Sequence, residues 1–494
     1  MSENYPVSSW DRKTVDQVGL FRGLIVSLLI VLTVLFGFLT VKMGNPILMA
    51  GLLILPFALM LMRYPGAVLV LAFVMDASGI SIPGLSFTTA GLLAKLMLIG
   101  IFLLSVAVGQ RQWSAAELPE RRPLILFTLV VILLMAVRGS GLRILGSTTW
   151  GGMAYINIFI GIIFFITING LKVTQRQITW MAIGGLGLSA VGSLFKSQGW
   201  AEAAEYSAVM SSRIRWVYDF AIALLPVALG CCSKKNKLLS FTLVTGAVVL
   251  LLLTGDRKLL IVSVITLSGF GFFRAAHKTF YVVKVLIIGL FALIIIALGA
   301  RSLPLGIQRS IAVVPGISVD YRVSRDAEGS SDWRIEIWKY CLKEAPQYLL
   351  IGRGSAFDVH DASGQLSSSD IGTFTPWFAY ITRSYHSGPL SLLIDYSIFG
   401  LVAMLWFTNL LFRRLWRYCR QLSSIDTFQA RFALALCVLL MAFLFKYYFI
   451  MGGIVEWPNF FSKYALVIVI VSSILQNKDA VEKEFLKSNK VLKV

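Results

Sequence analysis

The chain has 494 residues, of which 57% are hydrophobic and only 14% charged, with a net charge of +20 and a mean hydropathy of +0.78. A water-soluble domain cannot hide so large an apolar share, because surface shrinks too slowly relative to volume. Soluble enzymes are excluded, and repeated apolar runs of about 20 residues point to an all-α, polytopic membrane protein.

In chain order, residues 1–20 read as a cytoplasmic segment. The first apolar run, Phe21 to Val41, is long enough to remain a span rather than a cleaved leader. Residues 21–300 carry the first eleven of about fourteen transmembrane helices. Their centres lie near Val31, Leu53, Val70, Leu98, Val130, Ile160, Leu186, Leu224, Val248, Val264 and Ile288. Residues 301–385 form one long loop. Three more spans, centred near Ala403, Leu439 and Val469, fill 386–475, and 476–494 is a basic tail.

Connectors on the side of the N-terminus are all basic: "MRYP", "QRQWSAAELPERR", "LKVTQRQ", "SKKNK", "RAAHK" and "RRLWRYCRQLSSIDTFQAR". Short cytoplasmic loops carry the Lys/Arg excess, so both ends are expected in the cytoplasm and the long loop outside. The positive charge is therefore largely topogenic. It favours anionic membrane lipids and gives no argument for nucleic acid.

Of the cysteines, Cys231, Cys232 and Cys419 fall near cytoplasmic ends, Cys437 within a span and Cys341 outside. A single external cysteine cannot close an intramolecular disulfide, so the loop must hold itself by packing. No metal-ligand spacing and no D-x-D carboxylate pair is visible, so neither metal nor cofactor is expected.

External arginines run against the orientation bias and need another reason. Arg213 and Arg215 stand at the mouth of the eighth span, in "MSSRIRWVYDF". Arg257 and Lys258 occupy a tight turn, "LLLTGDRKLLIV", and Arg301, Arg309, Arg322, Arg325 and Arg334 lie in or before the long loop. Snorkelling to lipid phosphates or pairing with Asp219 and Asp256 is the plain structural reading. The alternative is a pyrophosphate site, because guanidinium forks match phosphate oxygens.

Within the loop, a Ser/Asp cap predicts a helix over Trp333 to Glu344, with Trp333, Ile337, Trp338 and Cys341 on one stripe. Pro346 breaks it, Gly352 and Gly354 turn the chain, and "ASGQLSSSD" leads to "FTPWFAYITRSYH". His386 then stands at the threshold of an apolar span that contains Asp395 and Gly400. His360 reads as a solvated loop residue and His277 as cytoplasmic.

This order resembles the O-antigen ligase and polymerase family of bacterial polysaccharide assembly: an external loop with an Arg–x3–Trp helix (Arg334, Trp338), a G-x-G turn (Gly352, Gly354), then a His before a span with an acid and a Gly (His386, Asp395, Gly400). The family's arginine at a tight outer turn corresponds to Arg257, and its further outer arginine to Arg213 or Arg215. The chain departs from the family in Ser387, where Asn is usual, in Asp395, where Glu is frequent, and in Asp256-Arg257-Lys258, where Ser-Arg-Gly is usual.

The resemblance implies a GT-C-like glycosyltransferase in the bacterial inner (plasma) membrane. It would move a glycan from an undecaprenyl-pyrophosphate donor to an acceptor hydroxyl, without metal, on the extracytoplasmic face. His386 would be the base and Arg213, Arg215, Arg257 and Arg334 the pyrophosphate ligands, with Trp338, Asp395, Gly352 and Gly354 in support. Expected partners are the lipid-linked donor, a glycan or lipid acceptor, membrane lipids and polysaccharide-assembly proteins. Three other readings stay open. One is a transporter or flippase of the same lipid-linked glycans. Another is a peptidoglycan-type polymerase using Glu202 or Glu205, and the third is a non-catalytic subunit of an export complex. Ligase and polymerase are not distinguished by the sequence.

Overall fold

A computed structural model describes residues 65–78, 81–82, 85–107, 118–141, 151–169, 171–201, 217–233, 237–254, 256–312, 314, 316–355, 376–381, 383–453 and 456–491. The predicted spans near Val31 and Leu53, and the candidates Arg213, Arg215, Glu202, Glu205 and His360, lie outside these residues.

Apart from one short antiparallel hairpin, β1 (Ser81–Ile82) and β2 (Leu85–Thr89), the described chain is helical. The helices are α1 (Pro65–Ser78), α2 (Ala90–Ala107), α3 (Arg121–Arg138), α4 (Met153–Ile168), α5 (Gln175–Ala201), α6 (Tyr218–Gly230), α7 (Lys237–Leu253), α8 (Arg257–Arg274) and α9 (Lys278–Gly299). After them come α10 (Leu305–Ile311), α11 (Tyr321–Glu344), α12 (Pro376–Ile381), α13 (Gly388–Leu422), α14 (Phe428–Phe445) and α15 (Trp457–Val491). Every predicted span centre from Val70 onward falls inside one of them. By length and composition, four are long and apolar enough to cross a membrane among the described residues: Lys278–Ser302, Gly388–Leu422, Phe428–Ile450 and Trp457–Asn477. The shorter apolar stretches, such as Met153–Ile168 and Lys237–Leu253, fall below that length.

Burial explains why these helices need a membrane. Helix α14 is apolar all round and buried on nearly every face, so it forms the axis of the bundle. Helix α13 buries one stripe, Ala403, Phe407, Leu411, Leu415 and Cys419, and turns Phe399, Val402, Trp406, Phe412 and Trp416 outward. Helix α9 buries no residue at all, yet is apolar from Val285 to Gly299. An outward apolar surface of this extent requires a lipid solvent, since each Å² left in water forfeits about 25 cal/mol. The protein is membrane-embedded.

The segment between α9 and α13 packs with the start of α13 in a separate small core: Ile337, Cys341, Ala345, Ala379, Tyr380 and Tyr385 against Ile394. Cys341 is buried and reduced, and burial pushes its thiol up to about 12. This packing holds the loop without a cross-link.

One expectation is corrected. The loop helix starts at Tyr321, not Trp333. Asp320 caps it, accepting from the Arg322 amide at 2.9 Å, and Val323 and Ala327 bury its first turns. Those contacts outweigh the Gly329–Ser–Ser stretch that reads as a helix start in sequence.

Candidate functional site

Four chain segments converge at one end of the bundle, and each is placed by a local rule. Asp256 caps α8, its carboxylate accepting from the Lys258 amide at 3.2 Å, which fixes Arg257 and Lys258 at the helix mouth. Helix α11 brings Trp333 and Arg334 on successive positions. Gln308 gathers the connecting loop: its amide donates to the Leu303 carbonyl at 2.7 Å, and its side-chain oxygen accepts from the Asp320 amide at 2.7 Å. Helix α13 starts at Gly388 with Pro389 in its first turn, where a missing amide costs nothing. The fourth segment is the π-turn Lys446–Ile450, after which Met451 Sδ lies 3.7 Å from Lys258 Nζ.

His386 sits just before α13 with φ 53°. Its ring lies 5.1 Å from that of Trp333, tilted by 60°. Burial first, then the charges of Arg334 and Lys258, lower the imidazole's proton affinity to about 4. His386 is therefore neutral at ambient pH and surrounded by cations.

Those cations differ in how they are compensated. Arg309 pairs with Asp326, and Lys258 lies 3.4 Å from the Asp256 carboxylate. Arg257 donates to the Ala327 carbonyl at 3.1 Å; besides burial it feels the charges of Arg309 and Arg334, opposed by the weaker pull of Asp326 and Asp256. Among the described residues no carboxylate stands at ion-pair distance from Arg257 or Arg334. Burial, followed by the neighbouring Arg309, lowers Arg334 against the opposing pull of Asp256. Two half-buried guanidiniums with an excess of positive charge around them form a site suited to an anion.

A cavity of about 420 Å³ opens beside this cluster. Lys258, Tyr218, Asp219, Lys446 and Glu456 line it together with an apolar wall that includes Leu439, Phe443 and Val467. Lys446 and Lys95, which the sequence shows as charges inside spans, are both neutralised: Lys446–Glu456 at 2.7 Å and Lys95–Asp76 at 2.6 Å.

Of the sequence-predicted residues, the structure brings together His386, Arg257 and Arg334. Trp338 lies one step behind, its indole donating to the Tyr385 carbonyl at 2.9 Å. Asp395 is fully buried and accepts from the Tyr385 hydroxyl at 2.8 Å, away from solvent. Gly352 and Gly354 form a turn docked on α13: the Arg353 amide donates to the Ile394 carbonyl at 2.7 Å, and the Gly354 amide to the Asp395 carbonyl at 2.9 Å. Glycine is required there, because a Cβ on Gly352 would come within 2.5 Å of the Asp395 carbonyl oxygen, and Gly354 holds φ +75°. The turn takes up carbonyls of a helix that is broken at Ser397, φ 67°.

Sequence reasoning missed Tyr385, Arg353 and Arg138. Arg353 donates to the Tyr380 carbonyl at 2.6 Å and to the Tyr385 hydroxyl at 3.3 Å, and Arg138 donates to the Gly352 carbonyl at 3.1 Å. Arg353 stands between the two turn glycines, and that position was the available signal.

With this geometry in view, residues 238–407 match the family model described as O-Antigen ligase. The matched stretch contains Arg257, Arg334, Trp338, Gly352, Gly354, His386 and Asp395. Among curated proteins no match is found.

Proposed function

We propose that this member of the O-antigen ligase family transfers a glycan from a polyprenyl-pyrophosphate donor to an acceptor hydroxyl at the extracytoplasmic membrane surface. The observation that carries the reading is the pair of guanidiniums, Arg257 and Arg334, with no carboxylate at ion-pair distance among the described residues, near a neutral imidazole.

The donor's pyrophosphate occupies the field of Arg257, Arg334 and Lys258. The first isoprene units of its tail enter the neighbouring cavity along the Leu439, Phe443 and Val467 wall. As the glycosyl bond breaks, charge gathers on the pyrophosphate oxygens, and preplaced cations stabilise that charge more than the ground state. Pyrophosphate is a weak base and needs little protonation to leave. The acceptor hydroxyl must lose a proton as its oxygen attacks the anomeric carbon, and His386 takes it. Without donor, burial first, and then Arg334 and Lys258, depress the imidazole. A bound dianion offsets the cationic part of that depression, so His386 is a stronger base when the donor is in place than without it.

The reading prefers His386 to Asp395 as base, since Asp395 is fully buried and one of its carboxylate oxygens accepts from the Tyr385 hydroxyl. Arg213 and Arg215 remain proposed pyrophosphate ligands from the sequence pattern. The acceptor class is tested by the product. Purified protein given lipid-linked oligosaccharide should extend it or move it to a second lipid. A ladder on a gel identifies a polymerase and one added block a ligase. No transfer from an active lipid-linked pool contradicts the enzyme reading and favours transport.

A further inference from the structure

Among the described residues, the non-glycine residues with positive φ are Arg383, His386 and Ser397, at 61°, 53° and 67°. All fall within one short stretch around the start of α13. Such backbone persists only where the surroundings over-determine it, so something must hold it. The residue next to His386 is held at both ends. Tyr385 is 1% exposed. Its carbonyl accepts from Trp338 Nε1 at 2.9 Å. Its hydroxyl donates to Asp395 Oδ1 at 2.8 Å and accepts from Arg353 Nη1 at 3.3 Å. Arg353 is itself fixed: its guanidinium lies 4.2 Å over the Tyr380 ring, and its backbone is tied to the Ile394 carbonyl at 2.7 Å. Among the described residues, the hydrogen bonds and ring contact of these groups run to one another and not to Arg257, Lys258 or Arg334. What they share is the peptide that carries His386.

We infer that Tyr385, clamped by Asp395, Arg353 and Trp338, is a positioning residue that fixes the His386 imidazole beside Trp333 and within reach of the cation cluster. The role rests on His386 acting as the base. It explains a fully buried carboxylate that cannot meet substrate, and it gives the glycine turn a task beyond chain reversal, since that turn delivers Arg353. A misplacement of about 1 Å at a reacting group can cost up to about 10²-fold, so loss of the clamp should appear in turnover and spare donor binding.

The test is a double-mutant comparison on the full membrane-inserted protein, with lipid-linked oligosaccharide as donor. Tyr385→Phe is expected to lower kcat about 10-fold to 10²-fold with KM for donor within about twofold. In a His386→Ala background the same change should cause no further loss, because a positioning residue acts only through the group it positions. Asp395→Leu removes the acceptor for the Tyr385 hydroxyl and should reproduce the Tyr385→Phe loss. Where Tyr385→Phe fails to fold, Arg353→Gln carries the same two-background comparison. Equal losses in both backgrounds, or a Tyr385→Phe enzyme within twofold of the parent, overturn the proposal while leaving His386 as base. A fully active His386→Ala protein overturns the base itself, and with it the clamp.

Discussion

At the residue scale, the site is decided by an excess of positive charge. His386 is held neutral by burial and by Arg334 and Lys258, with a proton affinity near 4. The sign follows directly: the free enzyme's base is lost only as pH falls through about 4, well below the ordinary histidine value of about 6.5. The acid limb of kcat/KM, which reports free enzyme, should therefore lie below about pH 5. Donor binding adds negative charge, so the acid limb of kcat should lie higher than that of kcat/KM. A common limb near pH 6.5 for both would show that the cations do not face the imidazole. Folding linkage has the same direction. His386 binds protons more weakly folded than unfolded, so its contribution to stability is present above about pH 6.5 and is lost as pH falls toward 4. For the guanidiniums, Arg334→Lys keeps charge and loses the fork. Donor KM should rise about 3-fold to 10-fold, and Arg334→Ala should raise it further and lower kcat as well. A kcat and KM unchanged in Arg334→Ala would remove it from the pyrophosphate site. Arg257, Arg334 and His386 could be named as candidates from the sequence, because each stands where the chain resembles a family motif. Tyr385 could not, because nothing in "RSYHSGP" distinguishes a clamped tyrosine from an interfacial aromatic. Its role depends on Asp395, a partner brought near only by the start of α13.

At the element scale, the decisive feature is the break in α13 at Ser397 and the glycine turn docked on it. The break could not be read from "LSLLIDYSIFGLVAML", whose apolar spacing suits an unbroken helix. The Ile398 amide leaves the helix ladder and donates to the Leu349 carbonyl at 2.9 Å, a long-range contact without a local signal. The apolar helices from Val70 onward, by contrast, were legible, because a long apolar run carries its own evidence; α10, α12 and the first turns of α11, which lack such a run, were not. The hairpin β1–β2 was missed, since "ISIPGLSFTT" reads as a connector. Gly352→Ala should force the turn off α13, because its Cβ would meet the Asp395 carbonyl and the Ser397 amide. A loss of about 1–3 kcal/mol is expected, the usual cost of overpacking, measured as a lower melting temperature in detergent. Gly354→Ala should cost about 1–2 kcal/mol, since φ +75° is unfavourable for a residue with a Cβ. Wild-type stability in Gly352→Ala would mean that the turn does not dock on α13.

At the scale of the whole molecule, the bundle has two unlike ends. One gathers Arg257, Lys258, Arg334 and His386. The other gathers Arg274, Arg431 and Asp426, with Arg274 and Arg431 bonded to the Asp426 carboxylate at 2.7 Å and 2.8 Å. The basic-inside rule assigns the second end to the cytoplasm. Reporter fusions after Ser424 and after Gly329 should then report opposite faces, cytoplasm and exterior. The same face for both would break the span arrangement and remove the site from the extracytoplasmic surface. The central claim is that a neutral imidazole beside a cluster with excess positive charge performs glycan transfer. It is tested most directly by single-turnover transfer from lipid-linked oligosaccharide, with donor binding measured in parallel. His386→Ala should lower the transfer step by about 10²-fold to 10⁴-fold with donor affinity within about twofold, while Arg257→Ala should lower both. A folded, membrane-inserted His386→Ala protein that transfers glycan at the parent rate would contradict it.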